Sequence, residues 1–182
     1  METDRNVLRR HAMLLGTYMG VFWIVKFALF PMGVRTSFLM LLFVVLTCCV
    51  PFMGYRYLRL FRDQACGGVI GFGRAWWFTV LMYLFASLLT AAGHYVYFAF
   101  IDGGRLVVAL QEMWQEAVEQ DLPGVTLYAE TMEASFEQIG QLSPIDIVVQ
   151  LFCQNMYFCV FLAIPTALLA MRRGPKELKR EN

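Results

Sequence analysis

The chain has 182 residues, 59% of them hydrophobic and 16% charged, with a formal net charge of +1 and a mean hydropathy of +0.55. Exchanging its 8 Tyr for its 14 Gly, to match the usual apolar class, gives about 62% against ~45–50% in soluble domains, which excludes an ordinary soluble domain and disorder alike. The apolar residues fall in four long blocks separated by charged stretches, the distribution of an integral membrane protein.

The first block, residues 11–34, follows Arg5, Arg9 and Arg10 and is broken only by Lys26. Its basic start resembles a signal peptide, but the apolar stretch is longer than a signal core and no small-x-small cleavage site precedes Pro31, so a retained span is expected. Ala12, Gly16 and Gly20 make a small-xxx-small ridge that lets another helix approach closely. The second block, residues 36–55, has no charge and contains Cys48, Cys49 and Pro51. Arg56, Arg59 and Arg62 continue it at a spacing of three, which predicts a basic stripe at headgroup level.

The link that follows carries Asp63, Cys66, the pair Gly67 and Gly68, and Gly71, Phe72, Gly73, Arg74 and Ala75, which open the third span. A glycine-rich loop before a helix can hold phosphate. No strand precedes this one, however, and its order is neither GxGxxG nor GxxxxGK, so a tight re-entry turn accounts for the glycines. Arg56, Arg59, Arg62 and Arg74 are the expected contacts to lipid phosphate.

The third block, residues 75–101, contains His94 and offers Ala86 and Thr90 as small residues for close packing. From 102 to 146 the character changes: Asp102, Glu112, Glu116, Glu119, Asp121, Glu130, Glu133, Glu137 and Asp146 face one base, Arg105. Apolar residues recur there at helical spacing, first Leu106, Leu110, Met113 and Ala117, then Tyr128, Met132, Phe136 and Ile139. Leu122, Pro123 and Gly124 interrupt them, so a pair of amphipathic helices forming an acidic cap is predicted. Either these acids are a solvated face or the cap docks a partner or gates a cavity; no calcium-loop spacing is present. Ser143, Pro144 and Asp146 read as an N-cap, a first-turn proline and a capping carboxylate that open the fourth span, residues 147–171, in which Ala163, Pro165 and Ala167 fall.

Twelve of the 15 Lys and Arg lie in the N-terminal segment, the link and the C-terminal tail (Arg172, Arg173, Lys176, Lys179 and Arg180), all on one side of a four-span layout. The positive-inside rule then predicts cytoplasmic termini and an extracytoplasmic cap. The expected fold is all-α: one polytopic membrane domain over residues 1–182, four transmembrane helices, and an acidic helical hairpin over 102–146 between the third and fourth. The basic groups sit at membrane edges, which favours anionic lipid over nucleic acid as their partner.

Little catalytic chemistry is visible. Cys48, Cys49, Cys66, Cys153 and Cys159 include no CxxC and none is in the outer segment, so apolar packing is their expected role. His11 and His94 lack an acid or His partner at i+3 or i+4, so no metal site is expected. Ser87 and His94 share a helix face but are separated by ~10 Å along the axis, too far for a nucleophile and its base. No cofactor is implied. The best polar constellation is a band at comparable depth near the outer ends of the spans: Lys26, His94, Tyr97, Gln150, Gln154 and Asn155. Polar groups in lipid are costly, so these are expected to face inward, either as interhelical hydrogen-bonding groups or as the lining of a pocket. Lys26 has the alternative of snorkelling to the edge.

The stretch YRYLRLFRDQACGGVIGFGRAWWFTVLMY, with the later HYVYFAFID, resembles a family of small bacterial four-span membrane proteins known only as a domain of unknown function. The resemblance implies a bacterial cytoplasmic membrane and the same span order, and it brings no catalytic residue. The expected function is that of a non-enzymatic accessory or assembly subunit of a membrane complex, with a protein partner in the membrane or beyond it. The alternative is a binder or small transporter of a lipid-linked or amphipathic substrate that uses the outer polar band.

Overall fold

The computed structural model describes residues 2–120 and 124–172. Asp121, Leu122 and Pro123 of the cap, and Arg173, Lys176, Lys179 and Arg180 of the basic tail, lie outside the described residues. The elements in order are α1 (Glu2–Gly33), α2 (Ser37–Ala65), α3 (Phe72–Val96), a π-helical turn (Tyr97–Asp102), α4 (Arg105–Glu119), a 3-10 turn (Thr126–Tyr128), α5 (Ala129–Gly140) and α6 (Pro144–Ala170). Among the described residues there is no strand; the one extended pairing is an isolated bridge between Ile70 and Arg172.

The four apolar blocks are the four long helices, each long and apolar enough to cross a membrane. Helix is dictated there because backbone amides in lipid can be satisfied only within their own segment. The helices run past the apolar blocks: α2 continues through all three arginines to Ala65, and the third span continues through its π-turn to Asp102. The predicted acidic hairpin is α4 and α5, in which, among the described residues, Leu106 and Phe136 alone are buried. The start of α6 carries the expected capping box, with the Asp146 amide donating to Ser143 Oγ and the Ser143 amide to the Asp146 carboxylate.

In the bundle α3 lies between α1 and α6, and α2 packs on the other sides of those two, so the cyclic order is α1, α2, α6, α3. Small residues set the tightest contact. A Cβ on Gly16 would stand 2.6 Å from the Met82 carbonyl oxygen, and one on Gly20 3.0 Å from that of Ala86. The ridge on α1 is therefore spent on α3 within the bundle, and fully buried Ala163 and Ala167 serve the same end on α6.

The core occupies one half of this ring. Its buried residues, among them Leu8, Ala12, Leu15, Leu58, Phe61, Phe78, Met82, Tyr83, Ala167 and Ala170, come from the start of α1 and α3 and the end of α2 and α6. The same end is clasped by polar groups. Arg62 Nη1 donates to the Ala170 carbonyl at 3.0 Å and Arg62 Nε to Asp63 Oδ1 at 2.8 Å. Ile70 and Arg172 exchange backbone hydrogen bonds of 3.1 and 3.0 Å. Gly67 and Gly68 make the re-entry turn with φ of 62° and 82°, left-handed values that glycine adopts without a Cβ clash.

Candidate functional site

Toward the other end a cavity of about 430 Å³ opens among the helices, lined by all four spans. Its floor is where the core stops: Trp23, Val50 and Cys159 belong both to the core and to the cavity wall. Aromatic and aliphatic side chains, including Phe27, Phe30, Phe43, Leu151 and Leu162, form most of the lining. Thr47 and Phe158 on its rim are exposed, so the cavity opens onto the bundle face that lipid covers. Its size falls within the ~300–1,000 Å³ of small-molecule sites.

Three of the six residues of the predicted polar band meet here: Lys26 from α1, His94 from α3 and Asn155 from α6. Lys26 Nζ lies 5.3 Å from the centroid of Phe43 and 5.9 Å from that of Trp23, over both rings. Among the described residues no carboxylate pairs with it. His94 is 5% exposed, its ring 4.0 Å from that of Phe27, and its Nε2 has no hydrogen-bond partner. The Trp23 Nε1 is buried and equally unpartnered.

The other three are elsewhere. Gln150 and Gln154 are exposed, not inward-facing. The buried stripe of α6 runs through Val148, Cys159, Ala163, Thr166 and Ala170, and at ~100° per residue Gln150 sits ~200° from Val148. Tyr97 reaches past the cavity to the cap, where its hydroxyl donates to Asp102 Oδ1 at 2.9 Å. Asp102, 4% exposed, also accepts from the amides of Gly104 and Leu106 at 3.0 Å, so it caps α4 and ties the hairpin to the span. Arg105 donates back to the carbonyls of Ile101 and Asp102. A second, wider cleft of about 1110 Å³ separates this junction from Phe136 and the start of α6.

The four arginines expected at lipid phosphate also divide. Arg56 and Arg59 are exposed, with Arg59 over the Tyr55 ring at 5.8 Å. Arg74 is half-buried over Phe61 at 6.0 Å. Arg62 is buried in the clasp described above, because the inward stripe of α2 passes through Gly54, Leu58, Phe61 and Arg62.

Sequence reasoning missed a polar line down α3. Tyr83, Ser87, Thr90 and His94, all buried, repeat at four, three and four residues on its inward face. Thr90 Oγ1 donates to the Ala86 carbonyl at 2.8 Å. Ser87 Oγ has no partner among the described residues, and the Tyr83 hydroxyl is pressed against Gly54 beside Thr166. The signal was the helical spacing of these groups in an otherwise apolar span, of which only the Ser87–His94 pair was noted. The cysteines are all without disulfides, and only Cys159 is buried.

No curated protein and no solved structure matches the chain. The model of one family, described as a protein of unknown function, DUF4199, matches residues 14–172 and so covers most of the first span, the other three, the cap and every residue of the cavity. The chain belongs to the DUF4199 family of unknown function.

Proposed function

We propose that the protein binds an amphipathic, lipid-borne molecule in the cavity among its four spans, as a non-enzymatic binder or small transporter. The single observation that carries this reading is the cavity itself: the helices are close-packed through one half of the bundle and leave about 430 Å³ in the other, at the one place where Lys26, His94 and Asn155 converge. An apolar wall with a few convergent polar groups is the usual composition of a ligand site. Its opening toward lipid at Thr47 and Phe158 supports entry from the bilayer rather than from water. In this reading the host is a bacterial cytoplasmic membrane, with both termini cytoplasmic and the cavity nearer the outer leaflet. The concentration of Lys and Arg at the clasped end supports that orientation.

Native mass spectrometry of protein taken from its own membranes in mild detergent tests the reading. The expected result is one bound amphiphile per chain; a bare protein under conditions that preserve the fold contradicts it.

A second reading, an accessory subunit of a membrane complex, is favoured by the cap. Glu116, Glu119, Glu130, Glu133 and Glu137 are exposed, and among the described residues none is in a salt bridge. A surface of that charge suits a basic protein partner. Crosslinking in intact membranes should then capture a stoichiometric partner through the cap, and its loss on replacing the five glutamates by Gln would establish the contact.

A further inference from the structure

Given the binding function proposed above, on which this inference rests, the donors around the cavity identify the chemistry of the occupant's head. The Lys26 ammonium has three N–H donors and no acceptor, and the Trp23 indole is a donor only. Both line the cavity, and neither has a hydrogen-bond partner among the described residues. Asn155 adds an amide, and His94 presents a buried Nε2 that is also unpartnered. Among the described residues no Asp or Glu lines the cavity.

The site is thus rich in donors and holds one positive charge that lies over the faces of two aromatic rings and, among the described residues, is in no ion pair. Ring faces compensate a cation only in part. A charge at this depth is costly unless something pairs with it, and buried N–H donors without acceptors add to that cost. An anion in the cavity would pair with the ammonium and offer an acceptor to the donors around it; a neutral head would leave the ammonium unpaired, and a cationic head would oppose it. We infer that the cavity takes a single-headed anionic amphiphile, with its carboxylate or phosphate on Lys26 and its chain leaving between α2 and α6.

Trp23 makes the proposal measurable, because bromine atoms quench indole fluorescence at short range and Trp23, only 6% exposed, lines the cavity wall. The protein, reconstituted in unbrominated zwitterionic nanodiscs, is titrated with dibromostearate, with its methyl ester, and with a brominated lysophosphatidate. The Trp23 signal is taken as the difference from Trp23→Phe. Expected is quenching by an anion at roughly a tenth of the ester concentration. Lys26→Met should erase that advantage and leave the ester unaffected. His94→Leu, which keeps the cation, should weaken the anion by a smaller factor. Quenching by the carboxylate, by the phosphate or by both supports the inference and distinguishes the two sources. Equal quenching by acid and ester overturns it while leaving amphiphile binding intact; no quenching of Trp23 by any probe overturns the binding function as well.

Discussion

The indole of Trp23 stacks on the ring of Tyr83, with 5.9 Å between centroids and 20° between planes. Tyr83 is fully buried in the core, whereas Trp23 also forms the cavity wall, so this pair marks the level at which close packing stops. The two halves of the bundle therefore have different tasks: the arginine end holds the helices together, and the cap end leaves space.

Stability should accordingly depend on the packed half. Gly16→Ala places a methyl 2.6 Å from the Met82 carbonyl, a backbone atom that cannot turn aside. A loss of about 1–3 kcal/mol is expected, read as a lower unfolding midpoint in detergent. Gly73→Ala meets nothing within 4 Å and serves as the control, with stability unchanged or raised by about 0.5 kcal/mol. Equal effects at the two positions would refute the close α1–α3 contact.

Arg62 and Arg56 should differ although they lie on the same helix. Arg62→Gln loses the guanidinium that bonds Ala170 and Asp63, with an expected cost of about 1.5–3 kcal/mol. Arg56→Gln removes an exposed side chain and should leave the unfolding midpoint within error, while weakening attachment to anionic vesicles. Denaturation in mixed micelles, followed by vesicle binding, separates the two.

This contrast also shows how far the sequence could be read. The spans, the cap helices and the Ser143–Asp146 box were legible because each depends on local composition or on residues within one turn. The facing of each helix was not. In a membrane bundle both lipid and core are apolar, so amphipathicity does not distinguish inside from outside. Asn155 lines the cavity while Gln154, one residue and ~100° away, is exposed. Arg62 likewise turns inward only because Gly54 and Leu58 on the same stripe are buried against the bundle, a fact of tertiary packing.

Asp102 should govern the cap. Replacing it by Ala removes the acceptor for the Gly104 and Leu106 amides and for the Tyr97 hydroxyl, and so uncaps α4. Loss of an N-terminal cap costs about 0.5–2 kcal/mol locally. Amide exchange across α4 should rise while that of α3 before Tyr97 stays as in the parent; uniform protection of α4 would show that the hairpin is held by other contacts.

The orientation is tested by single cysteines in a background lacking the native five. Gln64→Cys, at the exposed end of α2, should react with an impermeant maleimide only after the cytoplasmic side is opened, and Glu133→Cys in the cap should react in intact cells. The reverse pattern would invert the assignment of leaflets.

The cavity itself is the centre of the account, and blocking it is the most direct measurement. Leu151 lines the cavity, whereas Val149 is exposed on the outside of the same helix. Native mass spectra of Leu151→Trp and Val149→Trp, taken from the same membranes, should show the bound amphiphile lost from the first and retained by the second. Retention by both, with folding confirmed, would mean that whatever co-purifies is bound elsewhere and that the space among the four spans is not its site.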